Sequence, residues 1–124
     1  MIYKATIGAD FLTKEIKKGE DKIHLQMWDT AGTEKYNSLA QGFYRNTELC
    51  VLVFDQTNIE SFKHIEGWRK QFLKSLNPME GDQFPFVLLG NKNDMKDEIK
   101  VNKEDIDNYC EGHYDMPYYS VLLN

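Results

Sequence analysis

The chain has 124 residues, enough for one domain and too few for two. Hydrophobic residues make up 41% and charged residues 28%, within the ordinary globular range. The net charge of −5, with no cluster of Lys and Arg, argues against a nucleic-acid partner, since phosphate binding needs concentrated positive charge.

Three further function classes find no support in the residues. His24, His64 and His113 lie scattered without metal-ligand spacing and read as structural. Cys50 and Cys110 are far apart; Cys50 sits in the apolar run Leu49-Cys50-Val51-Leu52-Val53-Phe54, so it is expected to be a core thiol rather than half of a disulfide. No apolar stretch approaches the roughly 18 residues of a membrane span. Neither Met1-Ile2-Tyr3-Lys4 nor Val121-Leu122-Leu123-Asn124 carries a leader or lipidation pattern, so no membrane anchor is expected within these residues.

The segments alternate between strand and helix patterns, which predicts an α/β sheet. Residues 9–17 and 22–28 form a hairpin about a turn at Lys18-Gly19-Glu20-Asp21, with Ile23, Leu25 and Met27 alternating with polar neighbours. Residues 49–54 and 84–89 are short continuous apolar runs, expected for parallel strands covered on both faces. Between them Phe62, Ile65, Trp68 or the Arg69 stem, Phe72 and Leu76 recur at helical spacing. Thr57-x-x-Glu60 is a candidate cap for that helix and Asn77-Pro78 its stop. A second helix is predicted over 103–111, with Asn102-x-x-Asp105 at its start and Gly112 past its end. A last strand begins at Pro117-Tyr118-Tyr119.

Three sites carry chemistry. Asp29-Thr30-Ala31-Gly32 follows the strand 22–28. At a strand's carboxyl end an aspartate can hold a Mg²⁺-bound water, and Gly32, without a Cβ, lets its N–H approach a phosphate oxygen. Alone, D-x-x-G is also what an ordinary turn contains. Asn91-Lys92-Asn93-Asp94 follows the strand 84–89 and Gly90. The Asp94 carboxylate there can accept two hydrogen bonds, from N1–H and the exocyclic amine of guanine, a donor pair adenine lacks. Asn91 would brace the loop and the Lys92 stem would cover the base. Alone, N-K-x-D is also a polar turn, but the two motifs together, about sixty residues apart with a strand and helix between, select one chemistry. Third, the Thr6 hydroxyl can ligate Mg²⁺ and its N–H can meet a γ-phosphate, in a loop ordered by that contact.

These motifs, in this order, resemble the Rab branch of the Ras superfamily over essentially the whole chain. Ile7-Gly8-Ala9-Asp10-Phe11 is similar to a Rab switch I motif. Leu25-Gln26-Met27-Trp28-Asp29-Thr30-Ala31-Gly32 is similar to the entry to switch II, and Phe43-Tyr44-Arg45 to the stretch after it. Residues 6–14 and 84–92 resemble the late-endosomal branch, which directs late endosome, lysosome and phagosome maturation. The resemblance implies a Ras-like, three-layer P-loop GTPase fold, with residues 1–124 as one partial small GTPase domain. It further implies a GTP/GDP switch with Mg²⁺ in vesicle traffic, served by effectors, exchange factors and GTPase-activating proteins. It assigns Mg²⁺ and γ-phosphate contacts to Thr6, Asp29 and Gly32, guanine contacts to Asn91, Lys92 and Asp94, and the effector-facing aromatic triad to Phe11, Trp28 and Phe43.

The sequence also departs from the family pattern. No G-x-x-x-x-G-K-[ST] occurs among the 124 residues, and Thr33 stands where the family has a water-orienting Gln. Leu122-Leu123-Asn124 occupies the place of the base-contacting Ser-Ala-Lys. The first strand, first helix and last helix of the fold have no counterpart here. The expectation is therefore a piece of a longer reading frame, and its alternative is a nucleotide-free fragment that acts at most as an interaction module through its switch surface.

Overall fold

The computed structural model describes residues 9–30, 47–74, 84–92 and 94–122. They fall in two compact units, Met1–Asn46 and Thr47–Asn124.

The first unit is an antiparallel hairpin of β1 (Ala9–Lys18) and β2 (Asp21–Thr30). Lys18 pairs with Asp21, so the turn is Gly19-Glu20, and Gly19 supplies the positive φ of 65° that such tight hairpin turns demand. The register places Leu12 opposite Met27, Lys14 opposite Leu25 and Ile16 opposite Ile23. These residues therefore share one face, the alternation anticipated from the sequence. Every side chain from Leu12 to Met27 is exposed, so the hairpin has no core among its described side chains.

The second unit holds a parallel sheet in the order β3 (Cys50–Asp55), β4 (Phe86–Asn91), β5 (Tyr118–Ser120). Among the described residues three α-helices accompany it: α1 (Ile59–Lys63), α2 (Ile65–Lys74) and α3 (Lys103–Glu111). Leu52 and Phe54 of β3, Phe86 and Leu88 of β4, Ile65 and Phe72 of α2, and Ile106 and Cys110 of α3 are buried together with Val101 and Met116. Aromatic edges lock the helices onto the strands: Phe54 meets Phe62 at 5.1 Å and Phe72 meets Phe86 at 5.6 Å between ring centres. A Glu66 carboxylate ties α3 to α2, accepting from Arg69 Nη1 at 2.9 Å and from the Tyr109 hydroxyl at 2.7 Å, with His113 Nε2 at 3.1 Å. Burial, reinforced by Glu66, pushes the Tyr109 phenol well above its ordinary pKa.

Several predicted boundaries move. Both core strands run later than 49–54 and 84–89. Their start is set at Pro85, which has no N–H for the ladder; its carbonyl accepts from Cys50 N at 3.2 Å, and regular pairing starts one residue on. The strands are not covered on both faces among the described residues. Val51 and Val53 remain 47% and 48% exposed, so the continuous apolar run there overstates the burial, and of the expected three layers the described residues supply the sheet and one helical layer. Cys50 is half-buried rather than core; both thiols are free, and burial pushes the Cys50 thiol up to about 12.

The predicted 60–76 helix is two helices separated at His64, across which the apolar stripe Phe62, Ile65, Arg69, Phe72 continues. Arg69, not Trp68, fills the inward position: it is 8% exposed, with its guanidinium 5.7 Å from the Phe86 ring centre. The helix cap is Asn58, whose Oδ1 accepts from Ser61 N, and not Thr57. Thr57 is unavailable because both its N–H and its hydroxyl donate to the Asp55 carboxylate. Leu76 and the Asn77-Pro78 stop lie outside the described residues. α3 spans the predicted 103–111, though Asn102 makes no side-chain capping bond. Among the described residues no helix is long and apolar enough to cross a membrane.

Candidate guanine site at the ends of the parallel strands

Parallel strands in register end together, and here they end on polar residues. Asp55 closes β3, Asn91 closes β4 as its Cα partner, and Ser120 closes β5 as the partner of Gly90. Asn91 is thus the last residue of the strand rather than the first of the loop. Lys92 follows with φ 68°, a left-handed conformation uncommon for a side-chain-bearing residue. It turns the chain sharply off the sheet, and the turn is closed by Lys92 N–H donating to Asn91 Oδ1 at 2.7 Å and Met95 N–H donating to the Lys92 carbonyl at 3.1 Å. The Asn91 side chain thus takes part in closing this turn. Asp94 follows within the same turn and is exposed, so its carboxylate oxygens face solvent, where a ligand's donors can reach them.

Two residues essential to this geometry carry no motif signal. Gln56 is 6% exposed and its amide joins all three strand ends. Nε2 donates to the Gly90 carbonyl and to Ser120 Oγ, both at 2.9 Å, and the Tyr118 hydroxyl donates to Oε1 at 3.4 Å. Its backbone N–H donates to the Asn91 carbonyl at 3.1 Å, and its carbonyl accepts from Lys100 N at 2.9 Å. The sole hint in the sequence is a polar residue directly after an apolar run. Gly90 shows why the strand needs a glycine two residues before Lys92: a Cβ there would lie 2.5 Å from the Tyr118 hydroxyl and 3.0 Å from Gln56 Cγ.

The second missed residue is Asp55. Its Oδ1 accepts from Thr57 N at 2.8 Å and Thr57 Oγ1 at 2.7 Å, and its Oδ2 meets Lys92 Nζ at 2.7 Å. Partial burial alone would raise the Asp55 pKa, but the Lys92 ammonium and the two Thr57 bonds outweigh it and hold the carboxyl below its ordinary value. The same contact raises the Lys92 ammonium, with Glu98 and Asp94 adding to it.

The other predicted residues are placed unevenly. Phe11 and Trp28 are Cα partners in the β1–β2 ladder. Asp29 pairs with Asp10 and lies inside β2, which runs to Thr30 because β1 begins early enough to supply partners for both; it does not follow the strand, and the pairing there is antiparallel. Thr6, Gly32, Thr33 and Phe43 lie outside the described residues.

A parallel sheet whose strand ends carry Asn91, Lys92 and Asp94 in one loop, preceded in sequence by D-T-A-G, places the chain among α/β proteins of Ras-like fold. The Ras family model matches residues 1–121, and the chain belongs to that family. Within it the similarity is to Rab-type proteins. The chain is 47% identical over 119 residues to the Ras-related protein Rab7 of Drosophila melanogaster, covering 96% of this chain and 57% of that one. It is 45% identical over 120 residues to the Ypt/Rab-type GTPase ypt7 of Schizosaccharomyces pombe, covering 96% and 58%. It is 43% identical over 119 residues to the Ras-related protein Rab-7a of Paramecium octaurelia, again covering 96% and 58%. The resemblance to the late-endosomal Rab branch thus holds, and the chain spans somewhat over half the length of these relatives.

Proposed function

We propose that residues 1–124 are one partial Rab-type small GTPase domain, carrying the guanine-reading loop and both switch regions of a GTP/GDP-dependent regulator of vesicle traffic. The observation that carries this reading is the loop after β4: Asn91 as brace, Lys92 turned off the sheet at φ 68°, and an exposed Asp94 carboxylate. That arrangement fits a guanine base, because an acceptor-only carboxylate matches its paired N–H donors. Asn91, Lys92 and Asp94 are assigned to the base. Thr6, Asp29 and Gly32 are assigned to the γ-phosphate end, with Thr6 and Asp29 toward Mg²⁺. Mg²⁺ would supply charge neutralisation between the phosphates. Thr33, in the family's glutamine position, is too short to orient a water in the same way, so weak hydrolysis is proposed for this chain. The similarity to Rab7-named relatives supports a late endosomal, lysosomal or phagosomal setting, with Rab effectors, exchange factors and GTPase-activating proteins as partners.

A second reading has an observation of its own. Phe11 and Trp28, two of the three effector-facing aromatics, are paired in one hairpin. A short chain that holds this pair without nucleotide would serve as an interaction module, with Phe43 as its third member.

Titration with fluorescent GDP, GTP and ADP separates the readings. The guanine reading predicts that GDP and GTP bind detectably better than ADP. Because these 124 residues include no phosphate-cradling G-x-x-x-x-G-K-[ST], their affinity is expected to stay weaker than micromolar. Equal response to ADP and GDP would contradict the guanine assignment, and a submicromolar constant would contradict the weight given to the phosphate loop.

A further inference from the structure

Lys92 is held at both ends. Its backbone is fixed by the Asn91 and Met95 bonds, and its ammonium lies 2.7 Å from Asp55 Oδ2. Asp55 is itself oriented by its own strand end, since Thr57 N–H and Oγ1 occupy the other carboxylate oxygen. The pairing follows from register: Asp55 is the Cα partner of Asn91, so the residue after Asn91 emerges beside it. A lysine stem has several freely rotating bonds, and ordering it costs conformational entropy unless something already holds the tip.

We infer that Asp55 is a positioning residue for the base site, holding the Lys92 ammonium so that the aliphatic stem stands as a fixed wall against the face of the bound base. The inference rests on the assignment of Asn91, Lys92 and Asp94 to guanine. It divides the labour within the site. Asp94 discriminates between bases through their edges, while the Asp55–Lys92 pair contributes to any purine through its face and does not discriminate. Neither Asp55 nor its turn belongs to the N-K-x-D motif.

The test titrates the 124-residue chain with guanosine and with inosine, which lacks the exocyclic amine, following the amides of Lys92 and Asp94 by NMR. Asp55→Asn keeps an oxygen that can accept from Thr57 but loses the charge that holds Lys92. It is expected to weaken both nucleosides by about threefold, the scale of a partly exposed ion pair, and to leave their ratio unchanged. Asp94→Asn is expected to change the ratio. Lys92→Met should reproduce the Asp55→Asn loss, and Asp55→Asn added to Lys92→Met should cost nothing more. An unchanged affinity in Asp55→Asn, or the same further loss on top of Lys92→Met, would overturn the inference, the latter by showing that Asp55 acts only on the fold. A chain whose loop responds to neither nucleoside would remove the guanine assignment itself and the inference with it. One readout needs no variant: the Lys92 Cε resonance must follow the titration of the Asp55 carboxylate, and independence of the two would refute the pairing.

Discussion

The hairpin and the parallel-sheet unit are held in order by different means. β1 and β2 are fixed by a ten-residue ladder and a glycine turn, and every side chain from Leu12 to Met27 is exposed. β3, β4 and β5 are fixed by burial: Leu88, Ile65 and Phe54 are 0%, 1% and 2% exposed. The candidate guanine loop grows from the packed unit, whereas Phe11, Trp28 and Asp29 sit on the ladder. A rigid recognition loop needs a core beneath it, while a segment that must rearrange with its ligand is better built from local pairing alone. On the proposed function, base recognition falls to the part whose geometry is set by packing and switching to the part whose geometry is not.

The largest expected effect breaks the packed side of this contrast. Phe54→Ala removes a ring that touches both Phe62 and Tyr118 and should cost about 3–5 kcal/mol in denaturant unfolding. The same scan should leave hairpin amide shifts little changed if the units are held independently. Next, Gly90→Ala forces a methyl onto Tyr118 and Gln56. A loss of roughly 1–3 kcal/mol is expected, together with displaced Asn91 and Lys92 amide signals. Retained stability with an unmoved loop would show that Gln56 does not couple the strand ends.

A smaller effect is expected at the helix start. Asn58→Ala should cost about 1 kcal/mol, while Thr57→Val, which spares the cap, should act instead on Asp55. On the hairpin, Gly19→Ala meets no neighbouring atom but must adopt φ 65°; a loss of about 1 kcal/mol, confined to β1 and β2, is expected by residue-resolved hydrogen exchange.

The smallest effect is a pH dependence of the Asp55–Lys92 pair. The folded pKa of Asp55 is lowered, so its contribution is present above the ordinary carboxylate value of about 3.9 and is lost as pH falls through the lower folded value. The folded pKa of Lys92 is raised, so its contribution is present below about 10.4 and is lost as pH rises through the higher folded value. The unfolding-midpoint gap between the parent chain and Asp55→Asn should therefore be constant near neutrality and close in acid. A gap that persists at the acid end would place its cause elsewhere.

Much of this was legible in the residues. Alternation at Ile23, Leu25 and Met27 located the hairpin, and the aromatic stripe located the helices, because periodicity is a direct image of which side faces inward. That Asn91, Lys92 and Asp94 share one loop at the end of β4 was legible because they are nearly consecutive and follow an apolar run. Asp55 and Gln56 were not, since their roles depend on β3 and β4 pairing in register, a contact between residues far apart in sequence. The Thr57 cap failed for a related reason: Asp55 competes for the same side chain, and nothing in a capping pattern reveals a competitor. The exposed Val51 and Val53 show that an apolar run reports what a strand can bury rather than what it does bury.

The loop after β4 is proposed to read guanine from a frame that the packed unit supplies. A residue-resolved amide titration of the 124-residue chain with GDP and, separately, ADP tests it most directly. Saturable GDP shifts centred on Asn91, Lys92 and Asp94 are expected, with smaller ones at Asp55 and Gln56, and weaker shifts with ADP. Equal shifts with both nucleotides, or GDP shifts that leave residues 91–94 untouched, would contradict it.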